Sequence, residues 1–423
     1  METYGKILLI AMPIFLLLVL FEKWYGWRKG TDTVRIMDMI SSLSSGITNV
    51  TKDVLGLSVA IISYGWLVKH LAIIHLENKF WIYAVAFLAL DFSGYWTHRI
   101  QHTYNIFWNA HIVHHSSEEY NLACALRQSI SVFVRLFTFF LIPAAFLGVP
   151  QQVIAVVGPL HLFIQFWYHT RLIGKMGFLE KFIVTPSHHR VHHAINPEYL
   201  DKNMSQVLII WDKLFGTFQE ELANVPPVYG VTRPVATWNP IRINFQHLWL
   251  LVQDAWRAKH WSDKLKLWFM PTGWRPADVE EKFPVEKIEN VYQFEKYAPQ
   301  QTKGIASWSM LQLIFLLLFI SYLFGNIAAI GSPAMFYYGG FIFLYVYAMT
   351  ELMDRKKYAF IWEVLKFAVG AYLLIKTGNW FGAEDKFGFA ADLVGGYLVL
   401  SLCMTLYFSF AHSKEDTFVR QTA

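Results

Sequence analysis

Cysteine is almost absent from this sequence: the chain contains only Cys124 and Cys403, which fall in different predicted elements. A disulfide framework and a thiolate zinc site are therefore excluded. The chain also lacks a His-Glu-x-x-His motif, which excludes a zincin-type metallopeptidase. It carries neither a glycine-rich dinucleotide fingerprint nor a haem-attachment motif. Redox chemistry in this protein would therefore need electrons from a diffusing reductant or a partner protein.

Charged residues are scarce as well, at 16% of the 423 residues, whereas 55% are hydrophobic and 17% are aromatic. This composition is too apolar for an ordinary soluble enzyme of this length and predicts an integral membrane protein. We predict an all-α, polytopic membrane protein of about nine transmembrane helices with a histidine-rich cytoplasmic cap. The stretches that could cross a bilayer of roughly 30 Å are 5–22, 54–74, 80–97, 131–149, 153–170, 306–326, 334–351, 359–376 and 392–411.

Lysine and arginine are unevenly distributed between the two sides of this predicted topology. If the segment after the third stretch is cytoplasmic, 29 of the 36 basic residues lie in inner segments and four lie in outer ones. Such a bias predicts an outside N-terminus and an inside C-terminus, with the active site on the cytoplasmic side. Basic inner loops facing anionic lipid also account for the net charge of +5 without a nucleic-acid partner. The endoplasmic reticulum and a bacterial inner membrane both fit this arrangement.

The chain divides into four predicted regions. Residues 1–79 form an N-terminal membrane anchor, and residues 80–245 form a catalytic domain that carries most of the histidines. Residues 246–305 form an interfacial cap and linker, whose mixture of tryptophan, lysine and arginine suits a helix lying in the headgroup plane. A cap helix that packs its tryptophans into protein is the alternative. Residues 306–423 form a C-terminal region of four membrane helices.

Eleven of the sixteen histidines lie between His98 and His193, most of them in three short boxes. The boxes read His98-Arg-Ile-Gln-His102, His111-Ile-Val-His114-His115 and His188-His189-Arg-Val-His192-His193. On a helix, residues three or four positions apart share a face, so each box directs two or three imidazoles to one point. Solvated or core histidines have no reason to recur at this spacing. The ring nitrogens of the three boxes also outnumber the ligands that one metal ion can use. The pattern therefore predicts a two-metal centre.

The histidine-rich composition leaves the metal open, because imidazole suits iron, zinc, copper and nickel. A membrane metal transporter is a rival interpretation from another functional class. Transporters place their ligands near the bilayer midplane on broken helices. The histidines of this chain gather instead at helix ends and in the polar segment 171–305, which favours an enzyme.

Longer segments around the boxes resemble the fatty acid hydroxylase / sterol desaturase superfamily of membrane di-iron oxygenases and, within it, the alkylglycerol (glyceryl-ether) monooxygenase family. The resemblance covers about 85–245. One position departs, because Thr103 stands where those relatives carry glutamate after the first box. The matching segments are Asp91-Phe-Ser-Gly-Tyr-Trp-Thr-His98-Arg-Ile-Gln-His102, His114-His-Ser-Ser-Glu-Glu-Tyr-Asn121, Ala125-Leu-Arg-Gln-Ser129, Gln165-Phe-Trp-Tyr-His169-Thr, Thr185-Pro-Ser-His-His-Arg-Val-His-His193, Asp201-Lys-Asn203 and Val207-Leu-Ile-Ile-Trp-Asp-Lys-Leu-Phe-Gly-Thr-Phe218.

The resemblance also implies which residues hold the metals. His169 is included because it ends the fifth predicted span at the metal-bearing surface. The implied ligands are His98, His102, His111, His114, His115, His169, His189, His192 and His193.

Ligating histidines usually donate their other ring nitrogen to a carboxylate or a carbonyl. The carboxylates available for this are Asp91, Glu118, Glu119 and Asp201. We expect Asp91, Glu118, Asp201 and His188 to support the ligands from outside, although Asp91 has an alternative pairing with Lys69 or Arg135. His161 is predicted to be a core or cavity histidine. The histidines predicted to be interfacial are His70, His75, His247, His260 and His412.

The function implied by the resemblance is insertion of one oxygen atom of dioxygen into an unactivated C–H bond of a membrane lipid by a non-haem di-iron centre. For an alkylglycerol, attack next to the ether oxygen gives a hemiacetal that collapses to a fatty aldehyde and a glycerol derivative. The family implies tetrahydrobiopterin as reductant, although no pterin motif is recognisable here. The expected partners are a membrane lipid, dioxygen and an external electron donor. A hydroxylase or desaturase acting on a sterol, sphingolipid, fatty acyl chain or carotenoid would carry the same boxes.

Overall fold

The computed structural model describes residues 2–60, 63–74, 80–132, 134–135 and 137–410, and these residues are mostly helical. A short parallel pair joins β1 (Val59–Ala60) to β2 (Val134–Arg135). The helices up to the third histidine box are α1 (Glu2–Arg28), α2 (Ile36–Val54), α3 (Tyr64–Leu71), α4 (Phe80–Thr103), α5 (Asn105–His115), α6 (Ile142–Phe146), α7 (Gln151–Ile164) and α8 (Pro186–His192). The later helices are α9 (Ile210–Phe215), α10 (Pro240–Arg257), α11 (Trp261–Lys266), α12 (Ala277–Lys282), α13 (Lys303–Ile330), α14 (Ala334–Met353), α15 (Ala359–Thr377) and α16 (Ala390–Phe410).

Among the described residues, three helices are long and apolar enough to cross a membrane: α1, α13 and α16. This supports an integral membrane protein, but the prediction of nine transmembrane helices is not confirmed. The helices α4, α14 and α15 are of similar length, yet polar or charged residues such as Asp91, Glu351 and Lys366 interrupt their apolar runs. The helix α7 has only 14 residues.

Two of the predicted spans are not single helices in the described part of the chain. In the stretch 54–74, the end of α2 is followed by strand β1 and the eight-residue helix α3. In the stretch 131–149, strand β2 is followed by a 3-10 turn at Phe137–Leu141 and the five-residue helix α6. Apolar composition shows only that a segment avoids water, and several short packed elements satisfy this as well as one long helix.

The N-terminal helices α1 and α2 pack against the C-terminal helices α13 and α14. Gly5 in α1 lies so close to α13 that a Cβ atom there would sit 2.8 Å from the backbone oxygen of Phe324. One apolar core runs through these helices and includes Ile40, Leu323 and Tyr345. The two ends of the chain therefore form one packed unit.

A second apolar core lies among α3, α4, α6 and α7, and it buries Leu67, Ile82, Ala145 and Val153. The helix α4 passes through Tyr104 into α5, and α5 packs against α10. The helices α4 and α5 therefore connect this core to the polar segment 171–305. The first two histidine boxes lie on these two helices.

The C-terminal helices enclose a buried ion pair. Lys366 Nζ lies 2.8 Å from Glu363 Oε1, and it donates a hydrogen bond of 2.8 Å to Ser401 Oγ. Neither charged side chain is exposed. Lys366, which the sequence places inside a predicted span, is thus directed into the helix bundle.

Candidate metal centre

The structure brings all nine predicted ligand histidines together and sorts them into two groups. Within each group, one ring nitrogen from every member lies within 4.8 Å of the others. The first histidine group is His98, His102, His111, His115 and His192, and the second histidine group is His114, His169, His189 and His193.

The second and third boxes are each divided between the two groups. His114 and His115 are consecutive on α5, so their side chains point in directions about 100° apart. His192 ends α8 and His193 is its C-cap, and these two also separate. Each of these boxes directs two imidazoles to one group, as expected, and one further imidazole to the other group. A box serves both groups because consecutive histidines face different sides of one helix.

Within each group the Nε2 atoms face one another at short range. In the first group, the Nε2 of His111 lies 2.8 Å from that of His98 and 3.0 Å from that of His115. In the second group, the Nε2 of His189 lies 2.9 Å from that of His169 and 3.1 Å from that of His193. Neighbouring nitrogens that bind one ion at about 2.1 Å lie roughly 3 Å apart. The nitrogen spacing in both groups therefore fits a metal ion.

The outward ring nitrogens determine where the protons lie. The Nδ1 of His114 lies 3.3 Å from the carbonyl oxygen of Arg127, and the Nδ1 of His169 lies 3.0 Å from that of Gln165. A carbonyl only accepts, so each Nδ1 carries the hydrogen and each neutral ring leaves a lone pair on Nε2. Yet these two Nε2 atoms face each other at 3.3 Å. Opposed lone pairs repel unless a cation lies between them. The contact between His114 and His169 is therefore the strongest indication that a metal ion fits this site.

Burial favours the neutral form of most of these histidines. Burial is the main cause that lowers the pKa of His114 to about 3. Burial likewise lowers the pKa of His169 and of His193 well below the ordinary histidine value, and neighbouring imidazoles lower it further. Neutral imidazole is the form that binds metals, so ligation needs no proton release from these rings near neutral pH.

One short segment, residues 201–204, supports the first histidine group. Asp201 Oδ1 lies 3.2 Å from the Nδ1 of His102, and the carbonyl of Met204 accepts a hydrogen bond of 2.8 Å from the Nδ1 of His98. The carbonyl of Lys202 accepts a third from the Nδ1 of His192, at 3.0 Å. Asp201 is therefore positioned as predicted, next to a histidine of the first group.

A buried network supports the second histidine group. Arg127, whose carbonyl accepts from His114, forms an ion pair with Asp38 of α2 at 2.6 Å. Its guanidinium also donates to Ser42 Oγ and Ser116 Oγ, each at 2.9 Å. Because Arg127 is held from both α2 and α5, the carbonyl that orients His114 is fixed in place.

The expectation for Asp91 needs a correction. Its carboxylate accepts hydrogen bonds from the Nε2 of His161 at 2.8 Å, from the backbone of Val207 and Leu208, and from the indole of Trp211. Among the described residues, no histidine of either group bonds to it. Asp91 bonds to residues 207–211 because its side chain leaves α4 two turns before His98. It lies too far back along the helix to reach the box histidines. His161 is the buried histidine that the sequence predicted.

Glu118 and His188 also differ from the expectation. The Glu118 carboxylate accepts a hydrogen bond from the backbone N–H of Tyr297, and burial raises the pKa of Glu118 to about 7. His188 contacts Thr185 at the start of its own helix, where it completes a capping box. In the described part of the chain, neither residue bonds to a histidine of the two groups. Glu119 forms ion pairs with basic residues instead, including Arg171 at 3.1 Å.

The remaining histidines lie apart from the two groups. His70 and His260 are exposed, as predicted for interfacial residues. His247 is buried, and its Nε2 bonds to the carbonyl of Asn105 at 2.9 Å, so that prediction is wrong for His247. His247 is buried because the face of α10 that carries it packs against α5. His75 and His412 lie outside the described residues.

Comparisons with known proteins match the chain over most of its length. The fatty acid hydroxylase family profile matches residues 83–217. Human alkylglycerol monooxygenase is 34% identical over 358 residues, which cover 84% of this chain and 80% of the human protein. The zebrafish protein of the same name is 39% identical over 279 residues, covering 65% of this chain and 61% of that protein. An ornithine lipid hydroxylase from Rhizobium tropici is 29% identical over 146 residues, covering 34% of this chain and 44% of that protein. No solved structure gives a significant match.

Proposed function

Since this chain belongs to the alkylglycerol monooxygenase family and contains a fatty acid hydroxylase domain, we propose that it cleaves the ether bond of alkylglycerols at a two-iron centre. It is an oxidoreductase of the monooxygenase type. The observation that carries the proposal is the pair of histidine groups, since each offers four or more neutral imidazoles to one ion. Iron bound there would supply the dioxygen chemistry that side chains cannot perform.

A cavity of about 630 Å³ reaches the two histidine groups from the side of the membrane helices, and we call it the lipid cavity. His98, His111, His114, His169 and His189 form part of its wall. Apolar side chains of α1 from Leu8 to Leu16 also line it, and these two residues lie eight positions, or about 12 Å, apart along the helix. This apolar lining beside the histidines suits an unbranched alkyl chain.

Polar side chains line the lipid cavity beside the histidines. They include Gln101, Gln165 and Gln206. Gln165 Nε2 donates to Gln206 Oε1 at 3.4 Å, so these two amides lie together. In an alkylglycerol the attacked carbon is bonded to the ether oxygen, and the glycerol begins one bond further on. A substrate with this carbon at the histidines would therefore place its glycerol hydroxyls within reach of amide groups.

The reaction balances with one external reductant. One oxygen atom of dioxygen enters the C–H bond next to the ether oxygen, and the other leaves as water after taking up two electrons and two protons. The product carbon carries both a hydroxyl and an ether oxygen, so it is a hemiacetal. Its C–O bond to glycerol breaks as the hydroxyl proton moves to the glycerol oxygen, which releases a fatty aldehyde and glycerol. We propose a tetrahydropterin as the source of the two electrons and two protons.

The test is to incubate membranes containing the protein with an alkylglycerol, dioxygen and tetrahydrobiopterin, and to measure fatty aldehyde. We expect aldehyde from the unaltered protein and essentially none from the variant His192→Ala, because this change removes an imidazole from the first histidine group. His260→Ala is the matched control, since His260 is exposed and belongs to neither group. Iron content per chain, measured on the same preparations, should fall in His192→Ala only.

Two results would contradict the proposal. A stable hydroxylated lipid in place of aldehyde would assign the protein to general lipid hydroxylation at the same centre. Equal activity and equal iron content in the His192→Ala and His260→Ala variants would remove the histidine groups from the reaction altogether.

A further inference from the structure

A second cavity, of about 170 Å³, reaches the same histidine groups from a different direction, and we call it the cap cavity. Its walls contain His102, His115, His192 and His193. None of these four histidines lines the lipid cavity, and the five that do are absent from the cap cavity. The nine histidines are thus divided between two cavities without overlap, so the centre has two separate faces.

The walls of the cap cavity differ in origin and chemistry from those of the lipid cavity. Apart from α4 and α5, they come from the polar segment 171–305, including Arg233, Gln246 and Trp274. No residue of α1, α2, α7 or α13 contributes. The cap cavity therefore opens through the polar part of the protein, whereas the lipid cavity runs between the apolar helices.

The size of the cap cavity restricts what it could hold. Its volume of about 170 Å³ is roughly a quarter of the 630 Å³ of the lipid cavity. Sites for drug-sized ligands occupy roughly 300 Å³ or more. The cap cavity therefore suits a small bicyclic ring better than a nicotinamide dinucleotide, a flavin nucleotide or a lipid.

Aromatic and cationic groups in the cap cavity define the chemistry of a ligand. Trp108 lies against the first histidine group, with its ring 5.0 Å from that of His102 and 5.6 Å from that of His115. A planar ring could stack on such an indole next to the histidines. A molecule in this position would be adjacent to the metal centre.

Arg233 is a cation in the cap cavity with hydrogen-bonding capacity to spare. The neighbouring Arg275 is paired with Asp254, with N–O distances of 2.6 Å and 2.8 Å. Arg233 has no ion pair or side-chain hydrogen bond to any residue in the described ranges. Its guanidinium could therefore bind a carbonyl or ring nitrogen of a ligand, and the amide of Gln246 could bind both donors and acceptors.

We propose that the cap cavity binds the electron donor, a small planar nitrogen heterocycle of the reduced pterin class, while the lipid occupies the other cavity. This inference rests on the proposed function, because a monooxygenase needs two electrons and two protons from outside for each turnover. The heterocycle would be oxidised from the tetrahydro to the dihydro level as the second oxygen atom of dioxygen becomes water. The separate cavities let the reductant and the lipid bind without displacing each other.

The experiment is a binding measurement that does not depend on turnover. Equilibrium dialysis of the purified, iron-loaded protein against 7,8-dihydrobiopterin would give a dissociation constant. Arg233→Gln and Gln246→Leu should each raise it roughly tenfold or more, since each removes a hydrogen bond to the ring. Gln246→Glu keeps an acceptor and should bind better than Gln246→Leu. Arg257→Gln and Gln253→Leu are matched controls on α10 that line neither cavity, and they should bind normally.

Kinetics then separate this inference from the proposed function. The cap-cavity variants should raise KM for tetrahydrobiopterin and leave KM for the alkylglycerol unchanged, whereas Gln101→Leu in the lipid cavity should do the reverse. Failure of the unaltered protein to form aldehyde would contradict the proposed function itself. Three results, each obtained while aldehyde formation is normal, would overturn the cap-cavity assignment. The protein could fail to bind the pterin, or a protein donor could replace it. Alternatively, folded Arg233 and Gln246 variants could bind the pterin as tightly as the unaltered protein.

Discussion

Single residues with unusual backbone angles position the support of the first histidine group. Asp201 and Asn203 have φ values of 56° and 55°, in the left-handed region that aspartate and asparagine tolerate better than most residues. Asn203 holds the segment by donating to the carbonyls of His188 and Gln219, at 3.0 Å and 2.8 Å. This local conformation lets residues 201–204 direct three acceptors toward three histidines.

Two substitutions of Asp201 distinguish the contribution of its backbone conformation from that of its side chain. Asp201→Gly keeps the left-handed backbone but removes the acceptor for His102, and it should lower iron affinity by about tenfold. Asp201→Asn keeps both features and should stay close to the unaltered protein. Competition with a chelator measures the affinity. Equal affinities for the two variants would mean that the Asp201 side chain does not support His102.

The histidine boxes and the family resemblance together were sufficient to predict which histidines come together, but not what orients them. All nine predicted ligand histidines lie in the two groups. Eight of them belong to boxes whose helical spacing is informative, whereas His169 was included because it ends a predicted span. Their outward partners are mostly carbonyls, such as those of Met204 and Arg127. Every residue has a carbonyl, so no residue type marks these positions. Arg127 itself lies in a matching segment, and its ion pair with Asp38 depends on a contact between distant parts of the chain.

At the scale of the helices, sequence predicted the long apolar elements better than the broken ones. The predicted spans at 5–22, 306–326 and 392–411 correspond to α1, α13 and α16. The stretch 131–149 is equally apolar, yet Pro143, Gly148 and Pro150 lie in or just beyond it, and its described residues form short elements. Hydropathy averages over a window and does not register where a helix breaks.

The ion pair on α15 predicts a stability change within the C-terminal bundle. Lys366→Met would leave Glu363 buried without its cation, and it should lower the free energy of unfolding by about 3–5 kcal/mol. Adding Glu363→Leu should restore most of the loss, because a buried pair can be replaced by apolar residues at little net cost. Denaturant unfolding in detergent micelles measures both variants. A double variant no more stable than Lys366→Met would show that the pair itself stabilises the bundle.

For the whole molecule, the distribution of basic residues predicts one orientation in the membrane. Single cysteines at Glu198 and Lys259 should react with a membrane-impermeant reagent from the cytoplasmic side, and one at Gln152 should react from the opposite side. All three positions are exposed, and Cys403→Ser provides a background without the exposed native thiol. Reaction of Gln152 and Glu198 from the same side would contradict the predicted topology.

The interleaving of the two histidine groups along the chain has a consequence for biosynthesis. The first group runs from His98 to His192 and the second from His114 to His193. A ribosome that has passed the second box has therefore made most members of the first group but only one member of the second. Neither group is complete until the third box emerges, by which time α1 to α7 have already left the ribosome. A complete metal site can therefore form only after the third box has emerged, on a chain that already carries α1 to α7.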